Sequence, residues 1–234
     1  MKKILLRSLF IIPIIAYADN WTPPITHKLT IISENEIGAP KELKEETLQK
    51  RTAIKTKGFN EKENPYARFL LNLKMNAVSE IRAFRGTTDP SDTHLKENPK
   101  AIPLAFTFKK LPIDNSAIIG YAPIGTYVTT PHEGWNGIKV FFEDKALGTC
   151  AYEYTNLKLS NGGVLMTKEG LQYSVNNKPT IISAEGNNES GYTYSVTWYN
   201  DIEVSRLDCA TMLFQKGLTD NLMELSKKID SKMF

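Results

Sequence analysis

Residues 180–199 read TIISAEGNNESGYTYSVTWY, and this stretch decides the fold. Two runs rich in β-branched and aromatic residues, 180–185 and 191–199, flank Gly186, Asn187, Asn188, Glu189 and Ser190, residues that reverse a chain tightly. The pattern predicts a β-hairpin, antiparallel by construction. Downstream, Asn200 and Asp201 turn the chain into a further strand over 202–207. Upstream, runs at 138–143 and 149–154 flank residues 144–148 as a second hairpin with a longer loop. The run 118–128 is also β-rich, but Pro123 and Gly125 interrupt it and predict a bend or bulge. Short strands are expected at 104–108, and at 164–167 and 171–175 on either side of a Lys168, Glu169, Gly170 turn.

Helical periodicity appears on both sides of this β-rich region. Asn64 is a good N-cap and Pro65 suits a first helical position. Tyr66, Leu70, Leu73, Ala77, Ile81 and Phe84 then recur at three- and four-residue intervals before Gly86. They predict an amphipathic helix over 65–84. Leu222, Leu225, Ile229 and Met233 make a similar stripe for a C-terminal helix over 219–232, capped by Thr219. The expected fold is therefore α+β: an antiparallel meander or sandwich-like sheet with a preceding amphipathic helix and a C-terminal helix. It forms a single globular domain over 65–234, β-rich from 104 to 210.

Residues 19–64 hold Pro23, Pro24 and Pro40 and a dense mixture of Lys and Glu, with Phe59 as the only aromatic after Ser33. So little apolar surface predicts an extended or disordered arm, with a short helix over 41–51. Residues 1–18 follow the layout of a secretory signal peptide: Lys2, Lys3 and Arg7, an apolar run over 9–15, and Ala16-Tyr17-Ala18 as a small-x-small cleavage site. The apolar run is too short for a membrane span, which needs about 20 residues. The expected address is export, to the periplasm or the exterior. A Lys/Asn/Ile-rich chain with a Lys-Lys leader fits a bacterial source, while the sequons at Asn20 and Asn188 suit a eukaryotic secretory one.

The leader also carries the whole formal charge of +3, because the remaining chain balances 26 bases against 26 acids. No basic excess is left to attract nucleic acid or an anionic membrane. Two cysteines in an exported chain, Cys150 and Cys209, predict one disulfide closing 59 positions.

Signatures for catalysis are sparse. There is no G-x-S-x-G elbow, no phosphate-cradling glycine loop and no C-x-x-C, and His132-Glu133 lacks the second histidine of a zinc-protease motif. No cofactor is implied. His132 lies in a loop with Glu133 and Trp135, where a histidine could serve binding or could activate Cys150 if that thiol stayed reduced. Asp89, Asp92 and His94 could take a divalent cation, although the same composition caps turns. Tyr192, Tyr194 and Trp198 share a strand face and are candidates for stacking a ligand, with cross-strand packing as the plainer explanation.

The reading is an exported, non-catalytic binding or interaction protein with an unknown protein or small-molecule partner. A hydrolase with a site near His132 and a subunit of an envelope or secretion assembly are the alternatives.

Overall fold

The computed structural model describes residues 26–80, 95–130 and 132–233. Residues 1–18, the end of the expected helix at 81–84, and Asp89, Asp92 and His94 lie outside them. The element order is β1 (Leu29–Ile32), α1 (Lys41–Lys57), β2 (Asn60–Glu61), α2 (Pro65–Glu80), β3 (Ile118–Val128), β4 (Gly134–Asp144), β5 (Gly148–Asn156), β6 (Val164–Thr167), β7 (Tyr173–Val175), β8 (Lys178–Asn187), β9 (Gly191–Asn200), β10 (Glu203–Thr211) and α3 (Leu218–Met233).

The decisive hairpin forms as β8–β9. Asn187 Oδ1 accepts from the backbone N–H of Glu189 and Ser190, and Gly191 takes the left-handed conformation at φ +83°. Two antiparallel meanders, β3–β4–β5 and β8–β9–β10, join edge to edge where β10 pairs with β5. The sheet order is β2-β8-β9-β10-β5-β4-β3, with β7 also on β8. The fold is α+β, but its pairing is mixed: β2 runs parallel to β8, and β1 runs parallel to β6 in a separate two-stranded ribbon.

The strand expected over 164–167 forms as β6 and pairs with β1, and the turn after it is the 3-10 turn Lys168–Gly170. Two local expectations change. Leu104 makes only an isolated bridge to Trp135 where a strand over 104–108 was expected. Residues 26–64, expected as an extended arm, supply β1, a 17-residue α1 and β2. α1 has no buried residue, in keeping with its Lys/Glu composition.

Strand alternation gives the large sheet two different faces. One face packs under α3 as the main core, with Phe142, Tyr152, Trp198, Leu207, Leu222 and Ile229 essentially inaccessible. On the other face, Asn64 caps α2 by accepting from Ala67 N–H at 3.0 Å. Ala67, Leu70 and Leu73 then seat against Phe141 and against Ala122, Ala151 and Ala210, three small side chains that let the helix approach closely.

Cys150 and Cys209 are bonded, and they face each other across the β5–β10 ladder that joins the meanders. Replacing both with Ala is expected to cost about 2–4 kcal/mol, the range for freeing a loop of this length in the unfolded chain. Urea unfolding followed by Trp fluorescence measures it. A loss under 1 kcal/mol would mean the ladder alone holds the seam.

Candidate functional site

The face opposite α3 carries charge where a core would carry methyl groups. Lys139 on β4, Glu153 on β5 and Arg206 on β10 are successive cross-strand neighbours in one register row. Lys139 and Glu153 form a buried ion pair, 5% and 6% accessible. Arg206 Nε donates to Asp208 Oδ1 at 2.7 Å, and its guanidinium also reaches Ser195 Oγ at 3.3 Å. Tyr66, from the first turn of α2, lies over the row with its ring centroid 4.8 Å from Lys139 Nζ, a cation–π distance. Burial pushes the Tyr66 hydroxyl well above its ordinary range, more than Lys139 can offset. That hydroxyl makes no well-formed hydrogen bond, so Lys139 meets Tyr66 chiefly through the ring.

Burial works against both charges of the central pair. For Glu153 it is outweighed by Lys139 and then Arg206, which hold the carboxyl below its usual range. For Lys139 it is outweighed by Glu153 and then Tyr66, which hold the ammonium above its usual range. Two cations and two carboxylates answer one another, so the row is a charged scaffold, without an isolated general base or nucleophile.

Two cavities open beside it. The first, about 300 Å³, is polar and lies between α2 and the sheet, where Asn64 Nδ2 donates to Glu185 O and Thr193 Oγ1 and Lys62 pairs with Glu185. The second, about 620 Å³, lies between the open sheet face, α1 and the β1–β6 ribbon. Ile181, Tyr199 and Val204 form its floor, Leu157, Val164 and Met166 one wall, and Ile37, Leu43 and Lys44 the opposite side. Arg206 lines both cavities, with 32% of its side chain accessible. Burial pushes the Tyr199 hydroxyl up to about 12, with Arg206 acting against it.

The bulge expected in β3 shapes the rim of the larger cavity. Gly125 adopts φ +82°, and a side chain there would collide with Asn136. Asn136 accepts from Thr126 N–H at 2.7 Å and donates to Ser160 Oγ and Asn156 O, so one buried amide ties three segments together.

The residues singled out from sequence lie elsewhere. Tyr192, Tyr194 and Trp198 are buried on the face under α3, where Trp198 Nε1 donates to Asp230 Oδ1 at 2.8 Å. Trp135 is also buried, edge-on to Tyr127 at 5.8 Å. His132 and Glu133 are exposed, and Glu133 accepts from the Tyr127 hydroxyl. Cys150 has no thiol to offer a His132 dyad, because it is spent in the disulfide. Among the described residues no cluster of His, Cys, Asp or Glu is arranged to hold a metal.

The cavity residues went unread because the expected helix over 41–51 and strand over 164–167 carry no pattern that says they pack over one sheet face. The charges at 139, 153, 206 and 208 did leave a signal, since strand alternation puts them all on one face.

No protein-family model matches the chain, and neither a curated protein nor a solved structure matches it. Function therefore rests on this geometry.

Proposed function

We propose that the protein is an exported, non-catalytic binding protein and that the larger cavity is its ligand site. The observation that carries this is the cavity itself. Its volume of about 620 Å³ falls within the span typical of small-molecule sites, and apolar walls meet a few placed polar groups there. The leader-like residues 1–18 and the disulfide support an address outside the cytoplasm. Among the described residues no helix is long and apolar enough to cross a membrane. The alternative of an assembly subunit using α2 gains nothing from the packing, since Leu70 and Leu73 are already buried on the protein's own sheet.

Ile181 is a partly buried floor residue, so Ile181→Trp should fill the cavity with little disturbance elsewhere. Native mass spectra of protein recovered from its own compartment are expected to show a non-covalent small-molecule adduct. Its occupancy should fall at least tenfold in Ile181→Trp while the melting curve stays cooperative. Identical spectra for the two proteins, or no adduct in either, would reject the reading.

A further inference from the structure

We infer that the ligand is a single-chain aliphatic carboxylate, held with its tail on the sheet floor and its head near Lys44; this rests on the cavity being the binding site. The walls point to the tail. Leu157, Val164 and Ile181 stay only partly buried around buried Met166, Tyr199 and Val204, so aliphatic surface is left facing the cavity. Tyr199 is the only aromatic among the described lining residues, so nothing pairs with it to sandwich a flat ring. A flexible chain matches such walls better than a sugar, which needs many convergent hydrogen bonds, or a nucleobase, which needs a stacking pair.

Charge points to the head. Apart from hydroxyls, three other lining groups carry a charge or an amide, and each is already answered. Glu34 receives the Arg51 guanidinium at 2.5 and 2.6 Å, Arg206 is held by Asp208, and Asn136 uses both ends of its amide. Lys44 differs. Its neighbours one helical turn away are Pro40, Lys41, Thr47 and Leu48, none a carboxylate, and among the described residues it makes no ion pair. The cavity therefore presents one unanswered cation beside an apolar trough. An anionic head on an aliphatic tail complements both, whereas a cationic amphiphile would meet like charge.

Chain-length and head-group series test this by isothermal calorimetry or displacement of a fluorescent chain, below micelle-forming concentrations. From octanoate to dodecanoate, affinity is expected to rise about fourfold per methylene, the transfer increment of a buried CH₂, and to level off once the cavity is full. Dodecanoate should bind more tightly than dodecyl maltoside, and dodecyltrimethylammonium more weakly than either. Lys44→Glu should weaken dodecanoate at least fivefold and improve the cation, without changing the melting temperature of the empty protein. Ile181→Trp should abolish binding across the series.

Affinity independent of chain length would overturn the aliphatic assignment. Equal binding of the three head groups, or no effect of Lys44→Glu, would overturn the carboxylate assignment. Either failure is distinguishable from failure of the binding reading, because an adduct of another kind that disappears in Ile181→Trp would leave that reading standing.

Discussion

Lys139→Met is expected to lower the free energy of unfolding by about 3–5 kcal/mol, the cost of leaving the buried partner charge uncompensated. Glu153 would remain about 6% accessible with its closest cation gone and only Arg206 nearby. Replacing both partners, as Lys139→Met with Glu153→Leu, should recover most of the loss, because two apolar side chains need no hydration in that position. The double-mutant cycle in urea measures the coupling directly. A double variant as unstable as the single one would show that the methyl groups cannot pack between Tyr66 and Phe141, and that the pair is no simple electrostatic unit.

The same pair predicts how stability varies with pH. Glu153 titrates lower in the folded chain than in the unfolded one, so its contribution is present above the ordinary carboxyl range near pH 4 and drains away as pH falls further. Lys139 titrates higher when folded, so its contribution is complete below its unfolded pKa of about 10.4 and is lost as pH climbs past it. The wild type should lose stability at both extremes, and the double variant should show a shallower acid limb. An unchanged acid limb would place the titrating groups elsewhere.

The second large effect is expected at Asp230. This α3 carboxylate is 3% accessible and accepts from Trp198 Nε1 at 2.8 Å, Lys178 Nζ at 2.7 Å and Asn176 Nδ2 at 2.9 Å. It joins the C-terminal helix to β8, β9 and the β7–β8 turn. Asp230→Ala strands an indole N–H in the core and takes the carboxylate from a partly buried ammonium, a loss of about 3–5 kcal/mol. Asp230→Asn keeps an acceptor for Trp198 but removes the charge facing Lys178, and should cost about half as much. Thermal melts, with near-ultraviolet dichroism reporting Trp198, separate the two. A change below 1 kcal/mol for the alanine variant would mean that α3 is held by Leu222 and Ile229 alone.

Much of the architecture could be read from residues. The turn chemistry at 186–191, the Asn64 cap and the interruption of β3 near Gly125 are local signals with local physical causes, and the pairing of the two cysteines followed from their even number in a chain expected outside the cytoplasm. The parallel contacts of β1 with β6 and of β2 with β8 are not local. Four residues of LTII and two of NE carry too little pattern to declare a partner more than 100 positions away.

The site was harder for a different reason. Alternation places Tyr192, Tyr194 and Trp198 on one face and Lys139, Glu153 and Arg206 on the other, but it does not say which face meets a helix and which meets a cavity. Aromatic density drew attention to the first face, where a sheet under α3 needs bulk. On the second face Tyr66 of α2 lies over the charged row, and the lobe formed by α1, β1 and β6 covers the apolar floor of Ile181, Tyr199 and Val204 beside it.

The Cys150–Cys209 bond also bears on the order in which the chain organises itself. Each meander closes by hairpins between strands adjacent in sequence, a fast and local search. Bringing β5 to β10 is slow by comparison, because it must first close a span of 59 positions. In an oxidised chain that contact is already made before folding begins, and the other pairings within the two meanders are short-range, while β1–β6 and β2–β8 still join strands more than 100 positions apart. The bond thus works as a kinetic shortcut: it lowers the effective contact order of the sheet, so that a chain unfolded with its disulfide intact can rebuild the junction between its two halves by zipping outward from Cys150 and Cys209.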